Sequence, residues 1–337
     1  MGDIVMASVV IEPLRRHYPR AKIVWLVQQG LEDLLDQNPL LDEVISWPKN
    51  RWKALWRAKK WWLLWQEMRQ FKQDLRQFHF DLALDLQGLL KSGVLAWWSR
   101  APQRIGLGSR EGSQFLMTRV LKKNHADPRF ASEYLQFLQT MGLQPGASHA
   151  PIVLSTADEK FVIQLKTQIK KDHYLIFCPF TTRPQKHWFP EMWRSLAQLL
   201  HQNLGKPILI LGGTADLNQA QMLSQQQDYL LPLAGQTQLR QAAALIKYAD
   251  LVIGVDTGLT HMGITYGTPT IALFGSTCPY LDADLGTGRA NVRIIYHRLN
   301  CSPCQRKPTC HGAFHCMRAI SPEEVLKTAM TLLSHPA

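Results

Sequence analysis

No uncharged apolar stretch in the 337-residue chain reaches the length of about eighteen residues that marks a membrane-crossing helix. The opening Met1-Gly2-Asp3 has no secretory pattern either, so a cytoplasmic location is the expectation. The Gly-x-Gly-x-x-Gly fingerprint is missing, which argues against a dinucleotide-dependent hydride-transfer enzyme. Acidic residues are in short supply: 26 Asp and Glu face 38 Lys and Arg, for a net charge of +12. That excess suits an acidic partner, whether nucleotide, phosphorylated glycan, anionic membrane or nucleic acid. Cysteine is sparse and uneven. Cys178 and Cys278 stand in apolar runs and read as core residues, whereas Cys301, Cys304, Cys310 and Cys316 share one short segment.

What is present is an ordinary globular composition, long enough for two domains. Residues 3–17 show helical spacing through Ile4, Val5, Val9, Val10 and Leu14, closed by Arg15-Arg16-His17 and then Pro19. Residues 22–27 read as a strand and 31–35 as a short helix start. A doubly wound domain normally places a buried strand ahead of its first helix, and here the helical pattern begins at once. Loss of that strand would remove much of a domain core, so a chain start set too late is the expectation. By spacing alone Asp3 reads as a helix N-cap, a position that weakens a carboxylate as a base.

Residues 49–79 concentrate the positive charge. Lys49, Arg51, Lys53, Arg57, Lys59, Lys60, Arg69, Lys72 and Arg76 face only Glu67 and Asp74, and Trp52, Trp56, Trp61, Trp62 and Trp65 lie among them. One helical stripe runs through Trp61, Leu64, Trp65, Met68, Phe71, Leu75 and Phe78, and is expected to pack on the domain sheet from Trp61 onward. Trp52, Trp56 and Trp62 exceed what one stripe can bury. With the lysines they predict an interfacial segment on an anionic membrane surface, where each Lys or Arg contributes about 1 kcal/mol. Because the cations gather on one amphipathic segment, a nucleic-acid role is poorly supported. Residues 81–88 then read as a strand running into a turn, with Asp85 as a candidate solvated strand-end residue, and 89–98 as a helix.

Residues 142–151, rich in Gly and Pro, make the best boundary and predict domains 1–147 and 148–337. Beyond it strands are expected at 174–179, 207–211, 251–255, 270–274 and 292–296, with the clearest helices at 188–202 and 238–248. This alternation predicts an α/β fold built on parallel sheets. Between the strand end at Pro179 and the next helix stand Thr181, Thr182, Arg183 and Lys186. Hydroxyls and cations there are placed to meet a phosphate, the alternative being a polar loop with a cap. Trp188 and Trp193 read as anchors of the helix on its sheet. Asp216 closes a further strand-to-turn segment, Leu211-Gly212-Gly213-Thr214-Ala215. In the cysteine segment, Cys301-x-x-Cys304 has zinc-ligand spacing, but five residues separate Cys310 from Cys316. That leaves structural zinc and free or redox-active thiols both open. Ser321-Pro322 opens the last helix as N-cap and first-turn proline.

The most specific stretch runs from Leu251-Val252-Ile253-Gly254-Val255 through Asp256-Thr257-Gly258-Leu259-Thr260-His261-Met262 to Thr270-Ile271-Ala272-Leu273-Phe274-Gly275. It reads as strand, tight polar turn, short helix and second strand. The backbone N–H groups of Thr257, Gly258 and Leu259 are then left at a helix start for an anion such as a pyrophosphate. Three more segments accompany it. They are Asp85-x-Gln87-Gly88-Leu89-x-Lys91-Ser92, Arg104-Ile105-Gly106-Leu107, and Thr181-Thr182-Arg183-x-x-Lys186-x-Trp188 followed by Trp193. On these motifs, in this order, the chain resembles the heptosyltransferases, the glycosyltransferases that build the lipopolysaccharide inner core.

The resemblance implies the GT-B architecture, two Rossmann-like domains facing a central cleft, in which the last helix often crosses back to the first domain. It implies inverting transfer of heptose from an ADP-sugar donor, ADP-heptose, to an acidic lipid-linked glycan acceptor of the Kdo–lipid A type. The reaction would need no cofactor and no metal, and would run at the inner face of the inner membrane. Asp3 would be the base that activates the acceptor hydroxyl. Lys186, Thr181, Thr182, Arg183, Asp256, Thr257, Gly258, Leu259, His261 and Met262 would hold the donor, with Asp216 in place of the family's usual Glu. Arg51, Arg57, Lys60, Gln87, Lys91 and Arg104 would face the acceptor. Two alternatives share parts of this pattern: a nucleotide-sugar 2-epimerase of the same fold, and a non-catalytic, nucleotide-binding, membrane-associated protein.

Overall fold

The computed structural model describes residues 1–337 apart from 124–129, 148–149, 278–290, 306 and 335–337, so Cys278 lies outside the described residues. The chain divides into two compact units, one of Ala7–Asp127 and Ala131–Ala147, the other of Met1–Met6, Pro128–Phe130 and Ser148–Ala337. The division departs from a single cut after residue 147. The first six residues join the C-terminal half because Gly2 packs directly on Gly258 and His261.

The chain begins with α1 (Gly2–Ala7), a 3-10 turn (Ser8–Val10) and α2 (Ile11–His17), the latter ending ahead of Pro19. In the N-terminal unit β1 (Val24–Gln28) pairs in parallel with β2 (Glu43–Trp47). β3 (Leu82–Asp85), β4 (Gln103–Leu107) and β5 (Arg119–Leu121) form a separate parallel sheet. Among the described residues no ladder joins β1 to β3, so the single sheet of a doubly wound domain is here in two parts.

The aromatic stripe is the main departure from expectation in this unit. α3 (Lys49–Arg57) and α4 (Trp61–Gln77) meet at a corner where Lys59 takes a left-handed backbone, φ 56°. Trp61 therefore lies in the first turn of a new helix, and the inward face of α4 begins at Leu64 and runs to Leu75. Trp61 and Trp65 point outward, each about half exposed. Trp52, expected outside, is instead buried at 9% and edges onto Trp47 and Phe71 and against Trp98 of α5 (Leu90–Trp98). One more helix, α6 (Ser132–Thr140), completes this half.

The C-terminal unit opens with α7 (Thr156–Ile169), whose N-cap Ser155 hydroxyl accepts from the Asp158 N–H at 3.3 Å while Asp158 accepts from the Ser155 N–H at 2.8 Å. Among the described residues its strands form one six-stranded sheet in the order β11-β10-β9-β6-β7-β8, every pairing parallel. They are β6 (Leu175–Cys178), β7 (Ile208–Ile210), β8 (Leu230–Pro232), β9 (Leu251–Val255), β10 (Thr270–Phe274) and β11 (Val292–Tyr296). β6, β7, β9 and β10 are buried at every residue, as a parallel sheet covered on both faces requires. Its further helices among the described residues include α8 (Pro190–Leu204), α9 (Leu217–Ser224), α10 (Leu239–Lys247), α11 (Gly258–Tyr266), the short His315–Arg318 and the terminal helix Pro322–Ser334.

The terminal helix starts as expected, with Ser321 Oγ accepting from the Glu324 N–H at 3.2 Å. Val325, Ala329 and Leu332 are buried in the C-terminal unit's own core, where the helix packs on α8.

Chain order turns around between β6 and β9: from β6 the sheet grows one way through β7 and β8, and the other way through β9, β10 and β11. Ladder partners Cys178 and Gly254 sit at that junction. A Cβ at 254 would lie 2.1 Å from Thr260 Oγ1 and 2.7 Å from Cys178 Cβ. Gly254→Ala is therefore expected to cost about 1–3 kcal/mol of overpacking strain. A urea midpoint equal to that of the unmodified protein would contradict this tight approach.

Candidate active site

In a parallel sheet the C-terminal strand ends share one edge, and ligands gather where the strand order reverses. The loops after β10, β9 and β6 leave that edge side by side, which brings residues far apart in sequence onto one carboxylate. Asp256, just after β9, accepts at Oδ2 from Lys186 Nζ and from Thr277 Oγ1, the latter at 2.6 Å. His261 Nε2 lies 3.2 Å from Asp256 Oδ1. Burial by itself would raise the Asp256 carboxyl, but the hydrogen bond and charge of His261, together with Lys186, outweigh it. The group is held well below the ordinary carboxylate range.

Lys186 ends a 3-10 turn, Pro184–Lys186, that is pinned on several sides. The buried Gln185 donates from Nε2 to the Gln305 carbonyl at 3.0 Å, and His187 Nε2 lies 2.7 Å from the Thr181 carbonyl. Trp188 donates its indole N–H to the Ile320 carbonyl at 3.1 Å, and both Trp188 and Trp193 are buried, as expected of anchors. Thr181 and Arg183 are half-buried and Thr182 is exposed in the same loop. The ammonium of Lys186 thus has a fixed seat beside the next element.

That element is α11. Its N-cap, Thr257, is extended (φ −142°, ψ 160°) and no side chain caps the helix start. Thr260 turns its hydroxyl back to the Val255 carbonyl at 2.7 Å. The N-terminal peptide edge of α11 therefore begins one residue from the carboxylate that holds Lys186. At Gly258 the missing side chain admits Met1: a Cβ there would lie 2.6 Å from the Met1 Sδ and 2.9 Å from the Gly2 nitrogen. Gly2 itself would meet the His261 ring at 2.9 Å. Asp3 sits exposed in the first turn of α1, beside this contact, and is inside the helix instead of at its N-cap.

Several expected ligands do other work. Met262 is fully buried, and Leu259 is nearly so; both side chains belong to the interior, and of the two only Leu259 lies in the first turn of α11, where backbone N–H groups have no partner within the helix. Asp216 lies at the same sheet edge, after β7, but its Oδ2 accepts from the Gly213 N–H at 2.8 Å and so closes its own turn. In the N-terminal unit Arg104 is half-buried, and its Nε donates to the Leu116 carbonyl at 2.8 Å while Nη1 donates to that of Ala101. It ties β4 to neighbouring loops, so the expected contact with an acceptor carboxylate is replaced by a structural one. Asp85 is buried, not solvated, and its Oδ1 accepts from the N–H groups of Gln87 and Gly88, each at 3.0 Å. Gln87 is exposed at that turn and Lys91 half-buried on α5. Arg51 is engaged by Glu67 at 2.6 Å, whereas Arg57 and Lys60 are exposed.

The four clustered thiols do gather: Cys304 feels Cys310 and Cys301, and Cys316 feels Cys304 and Cys301. Burial pushes both Cys304 and Cys316 upward, which disfavours the thiolate a metal needs. Among the described residues no group of three or more His, Cys, Asp or Glu is arranged to hold a metal ion. Cys178 is buried in β6, and burial pushes its thiol up as well.

Thr277 and Gln185 were not foreseen. The signal for Thr277 was its place two residues past the Leu273-Phe274-Gly275 strand end, on the strand next to β9.

The family model described as "Glycosyltransferase family 9 (heptosyltransferase)" matches residues 68–315, well over half of the chain. Lipopolysaccharide heptosyltransferase 1 of Pseudomonas aeruginosa is 28% identical over 318 residues, covering 92% of this chain and 84% of that protein. The lipopolysaccharide core heptosyltransferase OpsX of Haemophilus influenzae is 26% identical over 306 residues, covering 88% of this chain and 82% of that protein. Among solved structures, a family 9 glycosyl transferase from Veillonella parvula superposes with a TM-score of 0.79 at 22% identity, covering 99% of this chain and 94% of that one. The E. coli heptosyltransferase WaaC with ADP gives 0.75 at 22% identity, covering 98% and 97%. These likenesses place the fold in the GT-B class. The chain belongs to glycosyltransferase family 9, the heptosyltransferases, and is a glycosyltransferase.

Proposed function

We propose that the enzyme transfers heptose from ADP-heptose to the acidic, lipid-linked inner core of lipopolysaccharide, with inversion at the anomeric carbon. The observation that carries the reading is the convergence of Lys186 and the α11 start on one sheet edge, a seat for a diphosphate. In this scheme the acceptor hydroxyl oxygen attacks the anomeric carbon as its proton passes to Asp3. The bond from that carbon to the diphosphate oxygen breaks, and ADP leaves with the charge. Lys186 and the α11 N–H groups stabilise that charge without a metal, assisted by Thr181, Thr182 and Arg183. Gln87-Gly88-Leu89-x-Lys91-Ser92 and the Thr181–Lys186 loop support the first heptosyl step.

The exposed cations and indoles of α3 and α4 support attachment to an anionic membrane surface, and no helix among the described residues is long and apolar enough to cross one. Incubation with ADP-heptose and a deep-truncated lipopolysaccharide acceptor tests the proposal. Heptosylated acceptor and ADP are expected in equal amounts. Turnover of the donor to an epimer with no acceptor present would point to the 2-epimerase alternative, which the relatives do not favour.

A further inference from the structure

A groove of about 450 Å³ runs along α4 where it meets α5, lined by Trp65, Met68, Arg69, Lys72, Arg76 and Trp98 among others. Residues 65, 69, 72 and 76 recur at the spacing of one helix face, so three cations and an indole line a single wall. Two of the cations are seated on aromatic rings: the Arg69 guanidinium lies 5.2 Å from the Trp65 ring centre and the Lys72 ammonium 5.6 Å from that of Trp97. Arg76 is steadied by its Nε–H donated to the Trp98 carbonyl at 3.2 Å. The two acids of α4 are engaged elsewhere, Glu67 by Arg51 and Asp74 by Gln70. Neither Arg69 nor Lys72 has a carboxylate partner among the described residues.

Next to Trp65 the surface carries further exposed indoles. Trp62, 69% exposed, stacks on Trp65 at 5.1 Å, and Trp56, 61% exposed, meets Trp61 edge-on at 4.4 Å. Exposed indoles next to a cationic groove combine the two parts of a bilayer interface, hydrocarbon boundary and phosphate.

We infer that this groove seats the phosphate of an anionic glycerophospholipid headgroup. Arg69 and Arg76 offer N–H forks to the phosphate oxygens, Lys72 adds a point charge, and Trp62 and Trp65 lie at the acyl boundary. The inference rests on the membrane-surface part of the reading above and is independent of the sugar-transfer step.

Co-sedimentation of the full chain with vesicles tests it. One set is phosphatidylcholine alone, and the other contains about one quarter phosphatidylglycerol. The protein should bind the second set, and Arg69→Gln/Lys72→Gln should weaken that binding about 30-fold. Lys160→Gln/Lys171→Gln removes the same charge from exposed sites in the C-terminal unit and should leave binding within about twofold. Trp62→Ala should weaken binding while the urea midpoint stays that of the parent. Equal losses in the two charge pairs would overturn the proposal, as would equal binding to both vesicle sets. So would retention of an RNA oligonucleotide by a protein that ignores the vesicles. Because binding is read without donor or acceptor, a protein that binds as described yet transfers no heptose would uphold the groove and remove only the transferase reading.

Discussion

Asp3→Asn is expected to lower turnover by about 10²–10⁴-fold while the KM for ADP-heptose stays near its original value. The amide keeps the size and the first-turn position of the side chain but accepts no proton. Asp3 is exposed, and its chain neighbour Gly2 lies against His261 and Gly258 of α11. Steady-state rates across a range of donor concentrations separate the two parameters. A turnover number within a few-fold of the parent would take Asp3 out of the reaction.

Lys186→Met is expected to reduce kcat/KM by about 10²–10³-fold, the usual loss when one preorganised charge is taken from a leaving group. It should also change the response to acid. Asp256 is depressed in the folded chain, against the effect of its own burial, by His261 and Lys186. Its contribution to stability is therefore complete above the unfolded value of about 3.9 and is lost as pH falls through the lower folded value. Without Lys186 the carboxyl rises, and acid unfolding should begin at higher pH. Asp256→Asn should flatten the dependence of the urea midpoint on pH below about 4. Were both variants to unfold along the parent's acid curve, the pairing of these residues would carry no weight in the folded protein.

The parts of the molecule legible in the sequence are those where one local signal decides. β9, β10 and β11 occupy the very residues read as strands: β9 and β10 are short runs dominated by apolar residues and closed by Asp256 and Gly275, and β11 is rich in β-branched and aromatic residues despite Arg293. α7 also had a legible start in Ser155-x-x-Asp158, a capping signal that went unread. β8, three residues at the sheet's margin, carries too little pattern to be seen. Other misreadings have tertiary causes. Arg104 looks like any surface cation until folding brings the Leu116 and Ala101 carbonyls to it. The stripe from Trp61 to Phe78 includes Trp61 and Trp65, which the fold leaves half exposed, and omits Trp52, which it buries, because α3 folds back on α4 and seats Trp52 against Phe71 and Trp98. At the site itself, the residues around Lys186 and Asp256 were legible as separate motifs. Their meeting on one carboxylate depends on β6 and β9 being neighbours, which strand order supplies and residue spacing does not.

A carboxylate fastened under the ammonium also sets how a charged ligand reaches this edge. Before any diphosphate arrives, Asp256 already compensates Lys186, so the pocket sends little field into solvent. Long-range capture must then draw on the chain's overall excess of +12, which ions screen within a Debye length of about 8 Å at physiological strength. Added salt is thus expected to slow the arrival of the nucleotide much more than it hastens its departure.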